Sequence, residues 1–122
     1  MALYNFKNSN NNDILPMEII QTSNGRVLKF SNNIAIAIGR ISFTVNNDMS
    51  PWGHIFYKEI QGTFGGFSFT ESPYIFTSCR NFVSGWSGRN KATQNSFSFE
   101  FYRATNYTVE DEAYYMAIGK WK

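Results

Sequence analysis

The chain has 122 residues, of which 18% are aromatic and 16% are charged, and its formal net charge is +2. This composition is typical of one folded, β-rich domain and excludes an intrinsically disordered chain, which would be less aromatic and more charged. The small net charge argues against nucleic acid or a membrane surface as a partner. The single cysteine, Cys79, allows no internal disulfide. The sequence has no signal-peptide pattern and no apolar run long enough to span a membrane.

Residues 1–22 differ in composition from the rest of the chain and are predicted to form a leader or connector. Asparagines dominate residues 8–12, and Asn favours loops because its side chain competes for backbone hydrogen bonds. The apolar segment 14–20 has two interpretations. It is either part of a flexible leader, or the apolar half of a connector that packs on a neighbouring subunit or on the domain base. Residues 23–122 are predicted to form the folded domain.

From residue 23 onward, turn signals alternate with short apolar runs, which is typical of β-strands. One face of the first long strand would carry isoleucines at 34, 36 and 38, whereas the apolar residues at 41, 43 and 45 follow in the opposite phase. Because a strand cannot change its buried face without a defect, this pattern predicts a β-bulge or bend at Gly39–Arg40. A kinked strand is predicted over residues 63–70. The alternation of Phe97, Phe99 and Phe101 predicts that these three rings are buried together.

The last segment, residues 113–122, is predicted to be a central strand covered on both faces. Met116 and Ile118 fall on one face and Tyr115, Ala117, Gly119 and Trp121 on the other, so both faces are largely apolar. Its Ala-Ile-Gly sequence repeats residues 37–39, which predicts two similar, paired strands with a notch of small residues. The acidic run 110–112 is predicted to be a solvated turn. With no helical periodicity, the expected fold is an all-β, antiparallel sandwich or jelly roll of roughly seven or eight strands.

Catalytic chemistry is poorly supported by the sequence. His54 is the only histidine and Cys79 the only cysteine, and neither has metal-ligand spacing around it. No nucleophile turn of the Gly-x-Ser-x-Gly type occurs. A pair of carboxylates among Asp48, Glu59, Glu71 and Glu100 would suit glycoside hydrolysis if the fold brought two of them together. We therefore expect a non-enzymatic protein without metal or cofactor.

Two loops carry the residue types of a sugar-binding site, which combines an aromatic face with planar amide or guanidinium donors. The first choice is the loop over residues 81–95 and the second is the loop over residues 48–54. Their candidate ligand-binding residues are Trp86, Arg89 and Asn90 in the first loop, and Trp52, Asp48 and His54 in the second. The alternative for each tryptophan is that it closes one end of the sandwich.

Three segments also carry a family resemblance, in the order in which they occur. They are KFSNNIAIAIGR at 29–40, FSFTESPY at 67–74 and MAIGKW at 116–121. Together they resemble the first hairpin, the central strand–turn–strand and the C-terminal ending of head domains from bacteriophage tail-fibre and receptor-binding proteins. A more distant resemblance is to H-type lectins. Two positions depart from the phage pattern: Asn32-Asn33 replaces an Asn-Gly turn, and Met116 stands where an aromatic residue often precedes the final Ala-Ile-Gly.

The resemblance implies a homotrimeric head at a phage tail tip, made in the bacterial cytoplasm and carried on the virion. Residues 1–22 would then be the end of a shaft or collar. It would bind a bacterial surface glycan or protein and contact other tail proteins, without nucleic acid or membrane insertion. Two alternatives remain open, namely a structural tail or baseplate protein that contacts only virion proteins, and a small polysaccharide hydrolase. An exposed cleft with Trp86 or Trp52 would favour adhesion. A flat apolar patch would favour assembly, and two facing carboxylates in a groove would favour hydrolysis.

Overall fold

A computed structural model of the chain describes residues 6–7, 13–14, 16–81, 83–84 and 91–122. The first sheet contains β3 (Pro16–Gln21), β4 (Gly25–Phe30), β5 (Ile34–Val45), β8 (Tyr74–Cys79) and β12 (Val109–Lys120), in the spatial order β3–β4–β5–β12–β8. The second contains β6 (Ser50–Trp52), β7 (Ile55–Thr63), β9 (Val83–Ser84), β10 (Lys91–Ala92) and β11 (Ser96–Arg103). A short pair, β1 (Phe6–Lys7) and β2 (Asp13–Ile14), completes the described strands.

The two five-stranded sheets are antiparallel and pack on a shared core, which confirms the predicted all-β sandwich. In the second sheet the order is β10–β11–β7–β6. Because β7 occupies one whole edge of β11, β9 and β10 both pair with the other edge. The edge strand β3 pairs with β4, so residues 16–21 belong to the first sheet. Among the described residues there is no helix with the length and apolarity needed to cross a membrane.

The longest ladder joins β5 and β12, which pair over 12 residues from Ile34 opposite Lys120 to Val45 opposite Val109. The two Ala-Ile-Gly repeats lie in these strands, with Ala37 opposite Ala117, so the predicted pairing is confirmed. The ladder shows no register shift, so the bulge predicted at Gly39–Arg40 is wrong. The interior position of β12, between β5 and β8, agrees with the prediction, but Met116 is exposed, so one chain covers only one face of this strand.

The buried face of β5 starts with alanines rather than isoleucines. Ala35 and Ala37 are fully buried, in phase with Val45, whereas Ile38 points to the opposite face and is exposed. No change of buried face is therefore needed along the strand. The reason lies on the inner side of the sheet, where large rings occupy the space above the small residues. A Cβ atom added at Gly39 would lie 2.7 Å from the hydroxyl oxygen of Tyr115.

Aromatic side chains dominate the core between the sheets. Phe97, Phe99 and Phe101 are all buried, as predicted from their alternation in β11. From the first sheet, Phe43 packs edge-on against Phe101 at 5.1 Å and against Phe99 at 6.0 Å between ring centroids. Offset and edge-to-face contacts of this kind are favourable beyond the apolar area that they bury.

Residues 64–73 are irregular, so the kinked strand predicted over residues 63–70 is wrong. Strand β7 ends at Thr63, and both Gly65 and Gly66 adopt positive φ angles of 67° and 97°. Such angles suit glycine and interrupt a ladder. Phe64 and Phe69 nevertheless reach the core, where their rings meet edge-on at 5.2 Å.

Asn24, in the turn between β3 and β4, connects the two sheets through hydrogen bonds. Its Oδ1 atom accepts a hydrogen bond of 2.7 Å from the hydroxyl of Tyr115, and its Nδ2 atom donates one of 2.8 Å to the carbonyl oxygen of Thr63. Burial raises the pKa of Tyr115 to about 12, although the hydrogen bond with Asn24 acts in the opposite direction. The phenol is therefore protonated and able to donate at neutral pH.

Candidate functional site

A polar groove opens where β8 ends and its neighbours continue. Strand β8 pairs with β12 only as far as Cys79 opposite Ala113, and one further backbone hydrogen bond joins Arg80 to Glu112 at 2.8 Å. Strands β5 and β12 extend to Val45 and Val109 and leave an open shelf of about 490 Å³. The residues that line it are Ser42, Phe43, Thr44, Arg80, Asn81, Glu110, Asp111 and Glu112. We call this surface the β8-end groove.

Asp111 is the residue in the β8-end groove that most needs a partner. Its residue surface is only 5% exposed, and its Oδ1 atom accepts a hydrogen bond of 3.0 Å from the Nδ2 atom of Asn81. Its Oδ2 atom is buried and has no hydrogen-bond donor among the described residues. Because a buried polar atom without a partner is costly, this oxygen is poised to accept a hydrogen bond from a water molecule or a ligand.

The position of Asp111 corrects the prediction that residues 110–112 form a solvated turn. Strand β12 begins at Val109, so the acidic run lies inside the β5–β12 ladder, with Asp111 opposite Phe43. Alternation then turns Asp111 to the buried side of the strand while Glu110 and Glu112 face outward. A signal was present in the sequence, since positions 109, 111 and 113 share the phase of the buried Tyr115.

The remaining groups of the β8-end groove mix one cation with several hydrogen-bond acceptors. The guanidinium of Arg80 lies 3.4 Å from the Oε2 atom of Glu112 and is largely exposed. The register places Ser42 opposite Glu112 and Thr44 opposite Glu110, so hydroxyl and carboxylate groups alternate along the surface. Such a surface offers both donors and acceptors to a polyhydroxylated ligand, which itself carries both.

Among the described residues, the β8-end groove holds neither a pair of facing carboxylates nor a metal site. Glu110 and Glu112 lie side by side on one strand instead of facing each other across the groove, and Glu112 is engaged by Arg80. Facing carboxylates are what glycoside hydrolysis uses. Of the four carboxylates named from the sequence, Glu59 and Glu100 do lie opposite each other, in the β7–β11 ladder of the second sheet. In the part of the chain that the structure describes, no three His, Cys, Asp or Glu side chains are placed to bind a metal ion.

The first-choice loop of the sequence analysis has its two ends fixed on β11. Its predicted binding residues Trp86, Arg89 and Asn90 lie outside the described residues. On either side, Ser84 is opposite Phe101 and Lys91 is opposite Ser98. The loop also begins at the β8-end groove, because Asn81 lines that groove.

The second-choice loop holds Trp52, Asp48 and His54 in separate surroundings. Trp52 is half-exposed at the end of β6, with its ring centroid 6.1 Å from that of Tyr102. Asp48 forms an ion pair with Lys58, and this hydrogen bond holds the pKa of Asp48 below its usual value. His54 is exposed in the turn between β6 and β7.

Within the described residues, no hydrogen bond or ion pair joins these three predicted site residues to one another. Trp52 belongs to the second sheet, whereas the β8-end groove is formed by the first. The two candidate surfaces are therefore built on different sheets. Sequence reasoning identified Trp52 as an accessible aromatic residue, and it missed Arg80, Asn81 and Asp111 as neighbours.

No protein-family model matches the chain, and no curated protein or solved structure matches it. The function must therefore be inferred from the chemistry of the chain's own surfaces.

Proposed function

We propose that the chain is a non-enzymatic receptor-binding head of the bacteriophage tail type, which attaches to a bacterial cell-surface glycan. The observation that carries the proposal is the β8-end groove, whose lining includes Asp111, a buried carboxylate with an Oδ2 atom that has no donor among the described residues. A sugar hydroxyl can fill this acceptor and at the same time accept a hydrogen bond from a neighbouring donor. The family resemblance given by the three sequence segments supports the same function.

Each groove residue has a defined role in this proposal. Asp111 accepts a hydrogen bond from one sugar hydroxyl, while Asn81 holds the carboxylate in place through the bond to Oδ1. The exposed guanidinium of Arg80 donates to ring or hydroxyl oxygens. Trp86, Arg89 and Asn90 remain predicted contacts, because the loop that carries them starts at Asn81.

The groove is open, so one head should bind one sugar weakly. A shallow polar site gains little over the hydrogen bonds that it displaces from water. Several heads on one particle would raise the effective affinity by roughly 10²–10⁴. This is why the proposal includes a homotrimer, the assembly that the resemblance implies, on a virion that also carries other tail proteins.

The test is glycan-array and host-cell binding of the purified full chain and two groove variants. Arg80→Ala and Asp111→Asn should each reduce binding at least tenfold, because each removes one charged partner of a sugar hydroxyl. Lys120→Ala is the matched control. Lys120 forms another exposed ion pair, with Glu71 at 3.6 Å, and lies at the opposite end of β12 from the groove. The substitution removes the cation of that pair. This control should bind as the wild type does.

Wild-type binding by both groove variants would refute the role of the groove, and no binding by the wild-type chain would refute the function. Trp86→Ala, measured in the same assay, separates the two predicted surfaces. A loss confined to Trp86→Ala would move the site from the groove to the loop. Thermal melting of each variant shows whether a loss of binding reflects a loss of folding.

A second candidate function is that of a structural tail protein that contacts only other virion proteins. The observation that favours it is the flat apolar surface on the outer side of the first sheet, where Tyr74 and Phe76 are exposed. Capture of purified tail proteins without any glycan binding would support this alternative. Glycan binding that depends on Arg80 would contradict it.

A further inference from the structure

The outer side of the first sheet carries a continuous row of apolar residues across all five strands. The ladder registers place Ile19 opposite Leu28, Leu28 opposite Ile36, Ile36 opposite Ile118, and Ile118 opposite Tyr74. Residues opposite one another in a sheet lie on the same face and touch. This row therefore runs from one edge of the sheet to the other.

A second row follows two residues further along the strands. It places Ile38 opposite Met116, which is opposite Phe76, and Tyr114 follows Met116 on the same face of β12. None of these positions carries a charge. The six most exposed members of the two rows define what we call the outer apolar face: Ile19, Ile38, Tyr74, Phe76, Tyr114 and Met116.

The area of the outer apolar face is at the upper end of what single-chain proteins expose. Its six residues are 39% to 80% exposed, and applied to roughly 200 Å² for a large side chain these fractions correspond to on the order of 600 Å². The largest apolar patch on a typical monomer is about 300–600 Å², and each side of a stable protein–protein interface buries about 800 Å². The face therefore supplies most of the area that a stable interface needs before any rim residue is added.

Within the described part of the chain, the fold does not use this face. The core lies on the other side of the sheet, where Ala35, Ala37 and Ala117 are fully buried. In an antiparallel sheet with one solvated side, that side normally alternates to polar residues. Here the alternation is lost at residues 34–38 and 114–118, as it is in strands that are covered on both sides.

The charges at the margin of the face suit another copy of the chain. Arg26 lies opposite Ile38, and Arg40 lies opposite Tyr114. Both arginines are exposed, and neither has an ion-pair partner among the described residues. At the other margin, the exposed carboxylate of Glu71 pairs with Lys120 of its own chain at 3.6 Å and remains accessible to another copy's arginine. Arginines at a polar rim around an uncharged centre are characteristic of protein–protein interfaces.

We infer that the outer apolar face binds a second copy of this chain and is the surface through which the heads assemble. The inference deepens the proposed function, because the expected avidity rests on assembly, but the contact itself does not require a glycan. The apolar rows occupy the half of β5 and β12 that lies away from the β8-end groove. Copies that associate through these rows would therefore leave the groove accessible.

The experiment measures the mass of the full chain by size-exclusion chromatography with light scattering at micromolar concentration. We expect the wild type to have a multiple of the chain mass of 14.0 kDa, three times that mass if the resemblance holds. Phe76→Glu places a charge in the second apolar row, at the second most exposed residue of the face, and should give the single-chain mass. The matched control, Gln61→Glu, places the same charge at an exposed position on β7 in the second sheet and should keep the wild-type mass.

Several outcomes would overturn the inference. A wild type with the single-chain mass would do so, and so would a Phe76→Glu variant with the wild-type mass. If the single-chain wild type also sediments with anionic phospholipid vesicles, the face binds a lipid surface instead. If Phe76→Glu loses its β-type circular dichroism spectrum, the milder Tyr74→Ser decides, because Tyr74 is the most exposed residue of the face. Unfolding of both variants would show that the face supports the single chain, and this too would overturn the inference.

Glycan binding by the single-chain Phe76→Glu variant distinguishes this inference from the proposed function. Per-site binding on a sparsely coated glycan surface should be retained, since Phe76 lies outside the β8-end groove. Retained binding with unchanged assembly would overturn the interface alone. If neither the wild type nor Phe76→Glu binds glycan, while Phe76→Glu alone has the single-chain mass, the glycan site alone would be overturned.

Discussion

Replacing Phe99 by Ala tests the placement of the core between the two sheets. The Phe99 side chain is fully buried. Its ring centroid lies 6.0 Å from the ring centroid of Phe43 on the opposite sheet and 6.4 Å from that of Phe97 on the same strand. Truncation removes the ring and leaves a cavity that a rigid sandwich fills only in part. Phe→Ala changes at such positions cost about 3–5 kcal/mol. For a domain with a total stability of about 5–15 kcal/mol, this is a large fraction.

Urea unfolding followed by tryptophan fluorescence measures this loss directly. With an m-value of about 1.5 kcal/mol/M, the unfolding midpoint should fall by roughly 2–3 M. Wild type and variant must be compared at the same protein concentration, since association of copies adds concentration-dependent stability. Phe99→Leu is the graded control and should cost less, about 1–2 kcal/mol, because an aliphatic side chain refills much of the volume. A change below 1 kcal/mol for Phe99→Ala would refute the placement of this ring in the shared core.

Two further predictions concern the junction around Asn24. Burial raises the pKa of Tyr115 to about 12, above the ordinary value of about 10, so on raising the pH the unfolded chain loses its phenolic proton first. The contribution of Tyr115 to stability should therefore be full below pH 10 and fall between about pH 10 and 12. Tyr115→Phe should abolish this fall and cost about 1–2 kcal/mol at neutral pH. Urea midpoints that depend equally on pH in both proteins would contradict this. Gly39→Ala should destabilise by about 1–3 kcal/mol, since its Cβ would lie 2.5 Å from the carbonyl oxygen of Asn24. Ser42→Ala, at an exposed outward position of the same strand, should be nearly neutral in the same assay.

The local alternation of the sequence was sufficient for the all-β class, for the two long strands β11 and β12 and for parts of the core. Strand side chains alternate between two faces, so the burial of Phe97, Phe99 and Phe101 follows from one short segment. The same rule gave the correct faces of the last strand. The Ala-Ile-Gly repeat identified its partner strand, because similar small residues opposite one another leave room for the same rings.

The sequence alone could not decide which face of β5 is buried. Between residues 34 and 38 one face carries isoleucines and the other alanines, and both are apolar. Hydrophobicity favours the isoleucines, but the rings of Phe64, Phe69 and Tyr115 already fill the space on the inner side. The choice is made by the volume available between two sheets, to which segments far apart in the sequence contribute.

The β8-end groove is a second feature that only the tertiary structure decided. It exists because β8 stops at Cys79 while β5 and β12 continue, and a difference in length between neighbouring strands is not encoded in any one of them. Asp111 is buried and needs a donor for its Oδ2 atom because the ladder extends to Val109, where the local acidic composition predicted a turn. The sequence thus determined the strands and their alternation. The register and the packing of rings across the sandwich determined which side chains are buried, which remain available to a ligand and which remain available to another copy.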